Sequence, residues 1–345
     1  MLDEVLFSIS VAQSLRQLEE LTIEGIDGLK HIIGSTSMGF NLSPQNSRSL
    51  MPSLNKIHIA CCIKLESLLP ICCVEGLVQL QEVKIVNLPK LKYVFGECDH
   101  MDHSSLQYEN QIMLPRLKDL RGKYLSNLID MCPENYSAKW SFPSEIIMED
   151  CPKFAMTAGL QLHAIFSVEC NLQNLKFLTL KDCMLGEVLF SVSVAQSLQQ
   201  LRELTIEGIH GLKHIIGSRR GHGSSTSRGF IQPQDSRFLM PNLNEIHVAR
   251  CNKLESLLPI CFVEGLVQLQ RISMRSLPEL KYVFGECNHT DHSSLQYESQ
   301  ILLSRLENLK LCNLQNLNDM CPGNYPVNWP SALNVDMIVI GCPKL

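Results

Sequence analysis

The sequence predicts an α/β solenoid: a right-handed horseshoe of short repeats, a parallel β-sheet on its concave face, and irregular or short helical segments on its convex side. Three observations predict it. The first is the spacing within residues 18–32, LEELTIEGIDGLKHI, where Leu18, Leu21, Ile23, Ile26, Leu29 and Ile32 stand 3, 2, 3, 3 and 3 residues apart. The step of two fits a short strand with both side chains on one face. The steps of three fit a turn and a descending irregular segment, since an amphipathic helix would mix threes and fours. This pattern, L-x-x-L-x-L-x-x-(N/C/L)-x-x-L, is the leucine-rich-repeat signature, and one such unit cannot bury its own apolar face.

The second observation is that the unit recurs. Units open at Leu54 (LNKIHIACCIKLESL), Leu80 (LQEVKIVNLPKLKYV) and Leu117 (LKDLRGKYLSNLIDM), then at Leu175, Leu201, Leu243, Leu269 and Leu306. Two weaker units close the halves, around Ile146-Met148-Cys151-Phe154 and Met337-Val339-Cys342-Leu345, making eleven. Units of about 26 residues leave room on the convex side for a short helix or 3₁₀ turn only.

The third observation is a duplication laid over the repeats. VLFSISVAQSLRQLEELTIEGIDGLKHIIGS from Val5 returns from Val188 as VLFSVSVAQSLQQLRELTIEGIHGLKHIIGS, an offset of 183. Beyond the next loop the offset is 189, as MPSLNKIHI at Met51 meets MPNLNEIHV at Met240. Residues 1–345 therefore read as one leucine-rich-repeat domain built from two blocks, 1–159 and 160–345. A solenoid escapes the usual limit on domain size because each unit contacts only its neighbours. Met1 aligns with Met184, just after the ninth position of a repeat, so the chain is expected to begin inside a unit of something longer.

Composition bounds the function. A hydrophobic content of 45% supports a continuous core. A net charge of -5 gives no reason to invoke nucleic acid. No run of eighteen apolar residues is present, and MLDEVLF lacks the basic region of a secretory signal. Fifteen cysteines read as reduced thiols in a cytoplasmic protein rather than as a disulfide framework. Cys62, Cys151, Cys183, Cys251 and Cys342 occupy the ninth repeat position, and the doublet Cys72-Cys73 becomes Cys261-Phe262 in the second block.

Four long loops interrupt the grammar, at about 34–50, 96–112, 217–238 and 285–301. Gly, Ser, Asn and Pro dominate the first and third, which read as mobile. The other two carry Cys98, His100, His103 and Cys287, His289, His292. Each set offers three ligands where structural zinc wants four, so no metal is expected. The sequons at Asn41, Asn135 and Asn288 are permissive only.

No catalytic motif is present: no phosphate loop, no H-E-x-x-H, no G-x-S-x-G elbow and no kinase set. No cofactor is expected, and the chain reads as a binding protein rather than an enzyme.

The phrases MPSLNKIHIACCIKLESLLP, LVQLQEVKIVNLPKLKYVFGE and IIMEDCPKF, with the recurring LTIEGI-x-GLKHIIG, resemble the C-terminal leucine-rich repeats of plant intracellular NB-LRR disease-resistance proteins of the coiled-coil type. The resemblance covers essentially the whole chain. It implies recognition of a pathogen effector or a guarded host protein, and a contribution to autoinhibition against the receptor's nucleotide-binding domain. The phosphate loop of such receptors is not in this sequence. A non-immune scaffold, such as a substrate adaptor of a ubiquitin ligase, is the other reading.

The contact surface follows from strand geometry independently of that resemblance. Positions three, five and seven of each unit should point outward on the concave side. In the first block these are Glu20, Thr22, Glu24, Lys56, His58, Ala60, Glu82, Lys84, Val86, Asp119, Arg121 and Lys123. In the second they are Glu203, Thr205, Glu207, Glu245, His247, Ala249, Arg271, Ser273, Arg275, Asn308, Lys310 and Cys312. Seven of these twelve pairs differ, against four of 24 apolar positions and four of twenty in the loop 95–114 against 284–303. Core positions resist change because packing penalises volume errors. The outward face has changed most, which marks it as a diversified contact surface. The largest change is Glu82, Lys84, Val86 against Arg271, Ser273, Arg275, where two guanidinium forks are expected to select an acidic partner. Gly122 stands where other units place a buried aliphatic, so a void and a weak strand are expected there.

Overall fold

The computed structural model describes residues 4–34, 50–97, 111–133, 137–140, 143–154, 172–217, 239–286, 301–323, 327–328 and 336–345. The chain forms two compact units, Met1–Leu172 with Asp182–Met184, and Gln173–Lys181 with Leu185–Leu345. Each is a leucine-rich-repeat α/β solenoid.

One five-residue strand per repeat builds a parallel ladder. In the first unit these are β1 (Glu20–Glu24), β2 (Lys56–Ala60), β3 (Glu82–Val86), β4 (Asp119–Lys123) and β5 (Glu145–Glu149), paired in that order. In the second they are β6 (Phe177–Lys181), β7 (Glu203–Glu207), β8 (Glu245–Ala249), β9 (Arg271–Arg275), β10 (Asn308–Cys312) and β11 (Asp336–Ile340). The two-residue period sets the burial: Leu21 and Ile23 are inside while Glu20, Thr22 and Glu24 are exposed. Gly122 does not weaken β4, which pairs through all five residues with β3 and with β5.

The turn after each strand is the same everywhere. Position eight is left-handed in all eleven repeats: Gly25, Cys61, Asn87, Tyr124, Asp150, Asp182, Gly208, Arg250, Ser276, Asn313 and Gly341. That conformation aims the N–H of position eight at the following repeat. Gly25 donates to the carbonyl of Ala60 at 3.0 Å, Cys61 to Val86 at 3.0 Å and Ser276 to Cys312 at 2.9 Å. The ninth residue then turns inward. Where it is cysteine, its thiol donates to a strand carbonyl, as Cys62 to Ala60 at 3.4 Å and Cys251 to Ala249 at 3.3 Å.

The convex side departs from expectation. Short helices are present, Ile9–Ser14 and Val192–Ser197, each capped by a serine hydroxyl, with 3₁₀ turns at Ile71–Gly76 and Ile260–Gly265. A second row of short parallel strands accompanies them, a feature the leucine spacing did not foretell. In the first unit it runs Val5–Ser8, His31–Gly34, Ser67–Pro70, Tyr93–Gly96. In the second, Val188–Phe190 pairs with His214–Ile216, and Ser256–Pro259 with Tyr282–Gly285. Inward residues of both rows fill the core, including Ile57, Ile59, Leu68 and Leu69 in one unit and Ile246, Val248, Leu257 and Leu258 in the other.

Two further expectations are corrected. The site of Gly122 holds no void: a Cβ there would lie 2.7 Å from Met148 Cε and 2.9 Å from Leu125 Cδ1. Met148 has filled the space. The cysteines are not uniformly reduced, because Cys261 is disulfide-bonded while ten other described cysteines are free. In the doublet Cys72-Cys73, the residue lost to Phe262 is Cys73, a buried thiol that packs. The residue kept in the second block as Cys261 is the bonded one. The long loops, apart from their edges, lie outside the described residues, as do their Cys-His sets and the three sequons.

Candidate functional site: the outward face of the strand ladder

Every residue nominated for the contact surface sits on a ladder strand, and each is exposed or half-buried: Glu20, Thr22, Glu24, Lys56, His58, Glu82, Lys84, Asp119 and Arg121 in one unit, with Glu203, Thr205, Glu207, Glu245, His247, Arg271, Ser273, Arg275 and Lys310 in the other. Three positions expected to face outward with them are buried instead. Ala60, Ala249 and Cys312 are small enough at position seven for neighbouring side chains to close over them.

Strand register decides which charges meet. In the first unit Lys56 Nζ donates to Glu20 Oε1 at 2.6 Å, and Arg121 Nε to Glu145 Oε2 at 2.7 Å. Lys123 Nζ lies 3.0 Å from Glu149 Oε2 and 5.2 Å from the centroid of the Tyr124 ring. Asp119 Oδ1 accepts from Ser144 Oγ at 2.9 Å. The carboxylates beside Lys56 and Lys123 hold both ammonium groups above their ordinary pKa. Such exposed pairs add little stability, but they occupy the charges that make them.

In the second unit the pairs are re-dealt. Glu245 replaces Lys56 and Arg271 replaces Glu82, so the ion pair moves along by one strand. Arg271 now binds Glu245, its register partner, where Lys56 bound Glu20. Arg271 is therefore not the open fork expected of it; its partner lies across the ladder, out of sight of local sequence. Arg250, at position eight, holds Glu207 with Nε 3.2 Å from Oε1. Arg275 and Lys310 are both exposed, and neither has an ion pair among the described residues.

His247 lies at the middle of this second face. Burial lowers its pKa, Glu207 opposes that, and the nearby cations Lys181, Lys310 and Arg275 add to the lowering. At neutral pH it is an uncharged donor and acceptor in a cationic setting.

Sequence reasoning missed the contributions of two strands. Glu145 and Glu149 on β5 neutralise the basic residues of β4, and the charge of Lys181 on β6 adds to the lowering of the His247 pKa. The signal was present, since these residues hold positions three and seven of their units; the unit around Glu145 and Glu149 is weak, whereas the one opening at Leu175 carries the full pattern.

Among the described residues no cluster of His, Cys, Asp or Glu could hold a metal, and no helix is long and apolar enough to cross a membrane.

The strand register decides the architecture. This is a leucine-rich-repeat surface. No family model matches the chain, and no curated protein matches it. Among solved structures, the "Crystal structure of TLR13-ssRNA13 complex" is similar over 90% of this chain and 46% of its own, at 15% identity and a TM-score of 0.35. This chain thus spans less than half the length of that one.

Proposed function

We propose that this chain is the protein-recognition module of a plant intracellular immune receptor, sensing a pathogen effector or a guarded host protein through the outward ladder face and contributing to autoinhibition. It works as a binding scaffold, not an enzyme, and forms one repeat domain that arose by tandem duplication. The resemblance of its repeat strings to plant NB-LRR receptors supports the receptor reading.

One observation carries the choice of surface. Between the two blocks, the outward strand positions differ far more often than the core positions beneath them. Loops are normally the faster-changing surface. Here the connection 97–110 differs at three of fourteen positions from 286–299, and the strand face at seven of twelve. Two of the seven, Lys56/Glu245 and Glu82/Arg271, exchange members of ion pairs within the ladder, and two more, Arg121/Lys310 and Lys123/Cys312, replace residues that β5 holds in the first unit, which leaves Lys84/Ser273, Val86/Arg275 and Asp119/Asn308.

The test places the chain in a reconstructed full-length receptor and reads cell-death output. Exchanging Lys84 and Val86 with Ser273 and Arg275 should change recognition or autoinhibition. Exchanging Asp99 and Met101 with Asn288 and Thr290 should not. The opposite result moves the contact to the loops.

The Cys261 disulfide favours a second reading, in which the chain works in an oxidising compartment as an extracellular recognition domain.

A further inference from the structure

The two ladder faces differ in how completely they neutralise themselves. On β4 both Arg121 and Lys123 are held by acids of β5. The register equivalents on β10 are Lys310 and Cys312, and those of Glu145 and Glu149 on β11 are Asp336 and Ile340. One ion pair has vanished whole, Lys123–Glu149 becoming Cys312 beside Ile340. The other has lost its contact, as Lys310 makes no ion pair among the described residues. On β9, Arg275 replaces Val86, and register sets it between Ala249 and Cys312, both small and buried. No tall neighbour screens its guanidinium on either flank.

Register also fixes the spacing. Ser273 is opposite Lys310 on one side and His247 on the other, and Arg275 is two residues along from Ser273. A strand spacing of about 4.8 Å and a two-residue rise of about 6.6 Å put the bases of Arg275 and Lys310 about 8 Å apart across the diagonal. Two carboxylates on alternate residues of an extended segment repeat at about 6.6 Å, within reach of two long, flexible cations. The Ser273 hydroxyl stands at the corner between them, and the neutral His247 ring flanks Ser273 on the side away from Lys310, both as hydrogen-bonding groups.

We propose that Arg275 and Lys310, set diagonally about Ser273, take two carboxylates of an acidic segment on a protein partner. This rests on the reading of the ladder face as the contact surface. A nucleic acid fits less well. A phosphate backbone needs a track of many cations, whereas this patch has two without an ion pair among the described residues, bounded on its ladder by Glu203 and Asp336. The first unit has no counterpart, since Val86 and the engaged Arg121 stand at the equivalent positions. Arg271, the most conspicuous basic residue by sequence, is excluded by its bond to Glu245.

The test uses the full chain and a fluorescein-labelled Ser-Glu-Ser-Glu-Ser peptide, followed by anisotropy at low salt. A Ser-Gln-Ser-Gln-Ser peptide and a five-nucleotide single-stranded RNA serve as comparisons. The acidic peptide should bind, the Gln peptide should not, and the Arg275→Gln/Lys310→Gln double variant should weaken binding at least tenfold. Arg271→Gln should change it less than twofold, with melting temperatures unchanged throughout. Failure of the peptide to bind, an equal loss in Arg271→Gln, or RNA binding with the same dependence on Arg275 and Lys310 overturns the proposal. If the peptide fails while the strand exchange still alters receptor output, this inference falls and the contact-surface reading stands. If the peptide binds and the exchange does nothing, the face takes acids but does not serve recognition.

Discussion

Asp130 follows strand β4 and joins Tyr93 in an isolated parallel bridge, its Oδ1 accepting the N–H of Met131 at 2.6 Å. Burial pushes its carboxyl up to about 6, and the hydrogen bond from Met131 offsets only part of that. The folded-state pKa is thus above the unfolded value of about 3.9. Its contribution to stability is present below that unfolded value and is lost as pH rises through about 6. Asp130→Asn keeps an acceptor for Met131 and removes the charge. It should raise stability at pH 7.5 by roughly 2 kcal/mol, leave it nearly unchanged at pH 4, and flatten the decline between. Urea unfolding across that range measures this, and an unchanged slope in the variant would refute the assignment. At this scale the sequence was partly legible. Glycine at Gly25, Gly208 and Gly341 hints at a left-handed turn, but Cys61, Tyr124 and Asp182 adopt it without advertising it, because the repeat geometry overrides their preference.

Strand β4 and its neighbour β5 solve a packing problem that β10 and β11 solve the other way round. Gly122 is in register with Met148, and Leu311 with Val339. The bulk has passed from one strand to the next: Met148 fills the layer beside Gly122, whereas Leu311 fills it by itself beside a Val339 that stays exposed. Gly122→Leu should therefore destabilise the chain by about 1–3 kcal/mol through overpacking. Met148→Val alone should cost about 1–2 kcal/mol by opening a hole. The double variant, which copies the second block, should recover most of both losses; additive losses in the unfolding midpoints would deny the coupling. Elements were legible in proportion to their alternation. The ladder strands show it, as Leu21 and Ile23 do between exposed neighbours, and their outward residues could be named in advance. The second-row strands HIIG, SLLP and YVFG have adjacent buried residues and only three or four positions. A short apolar run of that kind cannot be assigned from period alone. Arg271 departs from its expected open state for a related reason, since Glu245 is brought beside it by register across an intervening turn.

For the molecule as a whole, cysteine state separates the two proposed settings. Alkylation of the denatured chain without reductant, followed by peptide mass analysis, should leave Cys261 unlabelled and label Cys62, Cys151 and Cys251. Adding reductant first should label Cys261 as well. Alkylation of Cys261 without reductant, in chain recovered from its native source, would remove the support for an oxidising compartment. Structural disulfides persist in such compartments and are rare where glutathione keeps thiols reduced.

The left-handed residue that closes each strand has one more consequence. Because its amide is satisfied by the carbonyl of the next repeat, as Asn87 is by Lys123 at 2.9 Å and Asn313 by Ile340 at 2.7 Å, that amide can be sheltered only while its successor is docked. The position-eight amides of Gly25, Cys61, Asn87, Tyr124, Gly208, Arg250, Ser276 and Asn313 each donate in this way. In deuterated solvent each reports the opening of one interface and no other. The chain thus carries its own set of clocks, one for each of these joints, reading how local undocking spreads through a unit.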